Sequence, residues 1–302
     1  MTPRALLAAL ALTGAACGGA PVASPPAGLR PGAGEAVEVA RFTDARALAV
    51  DPAGRLYVVD AAEAAVLVLD TLGRRLEVGG SGGGGDRLLD PADVDPTNGL
   101  ELFIADAAGG RLLRVSSDGR LLEDTPVPAD VPAPGAAPAP DGLRGRPVAV
   151  AAGPGGVLYA VEAGRGVVLR WDDSSRRRLR QVGGPDAGAG ALAEPVALAA
   201  HPDGRLAVAD RGRGEVLLYD AFGSFLRALP GPEGARGAAW AAGADGPVLL
   251  VAGPRAVATF AADGRLLGTR AYDLGREELV DAVETRGVRW LLTPTRLVRA
   301  AR

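Results

Sequence analysis

The chain has 302 residues, 48% hydrophobic and 23% charged, with a formal net charge of −3, a size that suits one large domain or two ordinary ones. The near balance of signs excludes a dedicated nucleic-acid binder, which needs a basic face. Every basic residue is arginine, and there is one histidine and one cysteine, which excludes an intramolecular disulfide and the usual zinc or copper sites.

In chain order, MTPRALLAALALTGAACGGA reads as an export signal. Arg4 supplies a short positive region, and Ala5–Leu12 is an apolar run too short to span a bilayer. Gly14, Ala15, Ala16 and Cys17 resemble the lipobox of bacterial lipoproteins, in which the cysteine is lipidated and becomes the mature N-terminus. Gly14 departs from that pattern, where Leu is commonest. The resemblance implies a signal peptide over 1–16, a lipid at Cys17 and an exported, membrane-anchored protein. An ordinary secretory signal with an incidental cysteine is the alternative. Residues 17–34 are rich in Gly, Pro and Ala without apolar periodicity, as expected of a flexible tether.

From residue 35 onward a unit of four short β-runs recurs. The first comprises ALAV (47–50), a DPAG turn, RLYVVD (55–60), AVLVLD (65–70) and RRLEV (74–78). Further units cover 91–124, 147–182, 195–229, 238–270 and 279–302. Asp60, Asp106, Glu162 and Asp210 end the second strand of the first four units, at periods expected of propeller blades. The sixth unit lacks its outer strand, and EAVEVARF (35–42) has no blade of its own. The expected fold is therefore all-β: a six-bladed β-propeller of four-stranded antiparallel blades over 35–302, with the N-terminal strand closing the last blade. DPAGRLYVVDAAEAAVLVLDTLGRRL (51–76) and HPDGRLAVADRGRGEVLLYDAFGSFL (201–226) resemble the NHL-repeat family of six-bladed propellers. That resemblance implies architecture rather than activity.

The candidate sites follow from this frame. Asp60, Asp106, Glu162 and Asp210 are expected to fix turns, since Asp side chains accept backbone N–H groups of tight connections. Catalysis repeated at one station of four blades would be redundant. His201 occupies a turn position, and the run GGSGGGG (79–85) lacks the lysine of a phosphate-binding loop. Calcium-dependent lactonases of this fold use Glu, Asp and Asn; Asn98 is the only asparagine. Asp93 and Asp281 are weak calcium candidates, expected to lie one residue out of register and to face different sides of their strands. Arg111, Arg165, Arg211, Arg213, Arg255 and Arg296 fall in loops of one face. They form a candidate binding surface for an acidic peptide, carboxylate or anionic glycan, unless neighbouring acids neutralise them. A proline-rich insertion, 125–142, leaves from the same face.

The functional expectation is a monomeric, non-catalytic, lipid-tethered binding or scaffold module of the bacterial envelope, without a cofactor. Its expected partners are the membrane, through the lipid, and an envelope protein or anionic ligand. The competing class is a calcium-dependent hydrolase or lyase of the six-bladed propeller type.

Overall fold

The computed structural model describes residues 36–69, 75–79, 87–96, 99–130, 143–172, 175–176 and 179–301. Cys17, Asn98 and the greater part of the proline-rich insertion lie outside these residues.

The strands fall into six antiparallel sheets of four. β1 (Val37–Arg41) precedes blade 1, which holds β2 (Ala45–Val50), β3 (Leu56–Asp60), β4 (Ala65–Leu69) and β5 (Arg75–Gly79). Blade 2 is β6 (Pro91–Asp95), β7 (Glu101–Asp106), β8 (Arg111–Ser116) and β9 (Leu121–Pro126). Blade 3 is β10 (Pro147–Ala152), β11 (Leu158–Glu162), β12 (Val167–Trp171) and β13 (Leu179–Val182). Blade 4 is β14 (Pro195–Ala200), β15 (Leu206–Asp210), β16 (Glu215–Tyr219) and β17 (Phe225–Pro230). Blade 5 is β18 (Gly237–Gly243), β19 (Gly246–Ala252), β20 (Ala256–Ala261) and β21 (Leu266–Ala271). Blade 6 is β22 (Asp281–Thr285), β23 (Val288–Leu292) and β24 (Arg296–Ala301), and β1 pairs with β24 as its fourth strand. The ring closes as the repeat count requires, because an unclosed ring would expose unpaired sheet edges.

The core lies between the blades. Leu56 and Val58 of β3 pack toward blade 6, whereas Tyr57 and Val59 pack toward blade 2. Alternate side chains of one strand therefore reach two neighbouring blades, and β3 is buried along its whole length. The same alternation produces an apolar cluster at each of the other seams. Each Val or Leu so buried contributes about 1.5–3 kcal/mol relative to exposure. The single glycine of the innermost ring of residues, Gly237, is explained by close approach. A Cβ there would meet the Asp281 Oδ1 at 2.0 Å.

Candidate functional site

Two regions gather charged side chains: the loop face, where second strands end, and the central channel. On the loop face a buried carboxylate stands at the end of the second strand in each of blades 1–4. Asp60 accepts the N–H groups of Thr43 (2.9 Å), Asp44 (3.1 Å) and Ala62 (3.1 Å). Asp106 accepts those of Leu89, Asp90 and Gly109; Glu162 those of Arg146, Gly164 and Arg165; Asp210 those of Ala193, Glu194 and Arg213. Each acid thus ties the loop entering its blade to the turn after its second strand. Their oxygens are occupied by structure.

The six loop-face arginines do not form an open cationic ring. Arg111 bonds Asp106 (3.0 Å) and Asp124 (2.9 Å), and Arg211 pairs with Glu194. Arg213 bonds Glu215 and the carbonyls of Ala189 and Ala191, and Arg296 bonds Glu277 (2.8 Å) and the Leu274 carbonyl. Arg255 donates to the Gly275 carbonyl (3.2 Å). Arg165 is different. Its Nε lies 3.6 Å from Glu162 Oε2, and Nε and Nη2 are buried without a hydrogen-bond acceptor. Orphaned buried donors of this kind call for a water or a ligand.

Arg165 and Arg146 of blade 3 and Arg211 and Glu194 of blade 4 line a groove of about 620 Å³ between the two blades. Arg146 was missed by sequence reasoning, although a signal was present. The residue just before the first strand is Asp44, Asp90 and Glu194 in blades 1, 2 and 4, and Arg146 in blade 3. Asp44 and Asp90 bond Arg46, and Glu194 bonds Arg211. The reversal at Arg146 removes the neutralising acid from the blade 3 side of the groove. Beside it, Val127 is buried and the bridge Pro128–Arg144 pins the two ends of the proline-rich insertion together.

The channel, about 300 Å³, is walled by the innermost strand of every blade. Here the register expectation is corrected. Asp93 pairs with Ala105, one residue before Asp106, and Asp281 pairs with Leu292, one residue before Thr293. They occupy the same station as Ala47, Ala149, Ala197 and Gly237 in the other blades. The β22–β23 turn is one residue shorter than its blade 2 counterpart, so the spacing to the next landmark misleads. Asp281 accepts the N–H of Ala282 (2.8 Å) and, across the seam, that of Leu48 (3.0 Å). Asp93 accepts the N–H of Val94 (2.8 Å) and that of Val150 in the next blade (2.8 Å). Asp95 repeats the seam contact two residues on, to Ala152 N–H (2.7 Å). Burial lifts the Asp281 pKa to about 7, against its two N–H bonds. Burial, offset in part by the Val150 and Val94 N–H groups, and the neighbouring Asp281 and Asp95 charges hold Asp93 well above the usual carboxylate range.

Calcium takes six to eight oxygen ligands, and these residues do not fit it. All four oxygens of Asp93 and Asp281 already face backbone donors. Among the described residues no group of three or more His, Cys, Asp or Glu could hold a metal ion. His201 lies in the β14–β15 turn on the opposite rim, its ring edge-on to Trp240 at 4.6 Å between centroids.

No protein-family model and no curated protein matches the sequence. Solved structures match over nearly the whole propeller. A catalytically inactive histidine-to-alanine variant of virginiamycin B lyase from Staphylococcus aureus, with quinupristin, is 12% identical, with a TM-score of 0.63 over 89% of this chain and 99% of that one. A gluconolactonase from Xanthomonas campestris is 14% identical, with a TM-score of 0.62 over 90% of this chain and 91% of that one. A chain of a nidogen–laminin complex is 17% identical, with a TM-score of 0.57 over 76% of this chain and 81% of that one. At such identities the likeness is one of fold, which hosts enzymes and binding modules alike.

Proposed function

We propose that the chain is a non-catalytic binding module that receives an anionic partner on its loop face, in the groove between blades 3 and 4. One observation carries this reading: the Arg165 guanidinium, buried on two nitrogens and lacking acceptors, beside Arg146 where blades 1, 2 and 4 place an acid. The Arg165 side chain is 28% exposed overall, and a partner carboxylate supplies the acceptor those two nitrogens lack once the guanidinium turns outward into the groove. The repeats are read as NHL-type, and the module as an exported lipoprotein held by Cys17.

The competing reading is a lyase or calcium-dependent hydrolase like several of the fold neighbours. The virginiamycin B lyase variant is inactive with a histidine replaced; the one histidine here, His201, packs on Trp240 at the opposite rim. The channel acids, moreover, spend their oxygens on blade seams.

Two measurements test the reading. In fluorescence anisotropy, a labelled tetraglutamate peptide is expected to bind saturably and its tetraglutamine counterpart is not. Arg146→Ala is expected to weaken binding about tenfold, or about 1.4 kcal/mol. Equal binding of the two peptides would sink the anion assignment. For the anchor, Cys17→Ser is expected to abolish fatty-acid labelling and membrane fractionation; unchanged labelling rules the lipoprotein reading out.

A further inference from the structure

The channel contains a regularity that neither the rim nor the repeats explain. In each blade the innermost strand turns one edge to the channel. The residue after the ring station points its N–H there: Leu48, Val94, Val150, Leu198, Ala238 and Ala282 in blades 1–6. The register is common to all six, because the bonded pairs Ala47–Val59, Ala197–Ala209 and Gly237–Ala252 occupy equivalent places. These six donors form three pairs around the ring. Asp281 accepts from Ala282 and Leu48, at the blade 6–blade 1 seam. Asp93 accepts from Val94 and Val150, at the blade 2–blade 3 seam. The third pair, Leu198 and Ala238 at the blade 4–blade 5 seam, has Ala197 where the other two seams have aspartate. Among the described residues no side-chain acceptor reaches either N–H.

We propose that this seam is a carboxylate-binding site, in which a ligand carboxylate seated over Ala197 accepts the N–H groups of Leu198 and Ala238 as Asp281 and Asp93 accept theirs. The chain itself builds the motif twice, so the donor geometry is suited to a carboxylate, and N–H groups turned away from the strand ladder require another acceptor. The surroundings restrict the rest of the ligand. Val196, Ala199, Ala200 and Ala239 line the channel, and Trp240 crosses the same seam to donate its indole N–H to the Ala199 carbonyl (3.1 Å). With about 300 Å³ available, at the lower end of small-molecule sites, the ligand is a small acid with an apolar tail or the C-terminus of a peptide. A third acid is tolerated there because burial keeps Asp93 and Asp281 inclined to the neutral form. The site is separate from the loop-face groove and does not depend on that reading.

The test is a titration of the full chain at mildly acidic pH, followed through backbone amide resonances and tryptophan fluorescence. Trp171 and Trp290 are each 2% exposed, so a fluorescence response reports Trp240. The probes are butyrate, trialanine with a free C-terminus and trialanine amide, each to about 100 mM, enough to saturate a millimolar site. Saturable shifts confined to the Leu198 and Ala238 amides are expected, with those of Leu48, Val94, Val150 and Ala282 unmoved. Response to butyrate alone assigns a free acid, and response to free trialanine assigns a peptide terminus; either supports the site. Ala197→Asp supplies the carboxylate internally and is expected to weaken binding at least tenfold. Should that variant not fold, Ala238→Pro removes one donor from an edge that makes no ladder bond and is expected to do the same. No saturable shift with any probe, equal binding of the amide, or undiminished binding to the folded variants would overturn the proposal.

Discussion

Blades 1–4 and blades 5–6 solve one problem in two ways. In the first four, the second and third strands are joined by four residues, as in Ala61–Ala64, and the acid at the strand end holds that turn and the incoming loop together. In blades 5 and 6 the join is three residues, closed by the backbone itself: Gly253 N–H to Ala256 carbonyl and Thr293 N–H to Arg296 carbonyl. The acid is dispensable there, and its place is taken by Gly253 and Thr293. Blade 6 even reverses the direction of the contact, since Glu277 reaches in from the loop to the hydroxyls of Thr293 and Thr295 and to Arg296. The acids follow turn length, which makes them elements of the fold and leaves chemistry to other positions.

The largest expected effect breaks that comparison where it is strongest. Asp210→Ala leaves three N–H groups without an acceptor and is expected to cost about 3–5 kcal/mol, read as a fall in the urea midpoint. Thr293→Val in blade 6 is expected to cost only about 1–2 kcal/mol. Equal losses would show that turn length is irrelevant.

Next in size is a pH effect inside blade 6. Asp281, raised to about 7, favours folding while protonated, so its contribution is present below about pH 4 and is lost as pH rises through 7, on the order of 4 kcal/mol. Glu277 runs the other way. Burial opposes its ionisation, but the Thr293 and Thr295 hydroxyls and Arg296 outweigh it and bring the pKa to about 2. Its contribution is present above about pH 4.5 and is lost as pH falls toward 2. Thermal unfolding across pH should show both limbs, with Asp281→Asn flattening the upper one and Glu277→Gln the lower. A profile unchanged by Asp281→Asn would refute the assignment.

The smallest effect sharpens the comparison within blades 1–4. The last residue of the four-residue turn is left-handed in every case, and it is glycine in blades 2–4 but Ala64, at φ 50°, in blade 1. Ala64→Gly is expected to stabilise the protein by about 1 kcal/mol; destabilisation would mean that Ala64 packing outweighs the strain.

The fold was legible in the sequence because the acid station recurs with the blade and because a strand without a blade matched a blade without a strand. The channel was not. A one-residue-shorter turn after Thr285 hid the equivalence of Asp281 and Asp93, since linear spacing does not say whether a missing residue belongs to a strand or to its turn. The loop face was half legible. Six arginines could be placed on it, but which of them a neighbour neutralises depends on contacts across blades, as Glu194 to Arg211 illustrates. The reversal at Arg146 emerges only once the stations are aligned.

The most direct measurement compares two arginines of that face by tetraglutamate binding. Arg165 has buried donors without acceptors, whereas Arg213 is already bonded to Glu215 and two carbonyls. Arg165→Ala is expected to weaken binding about tenfold, or about 1.4 kcal/mol, and Arg213→Ala to leave it within about twofold. Equal losses, or a loss at Arg213 alone, would contradict the assignment of the groove between blades 3 and 4.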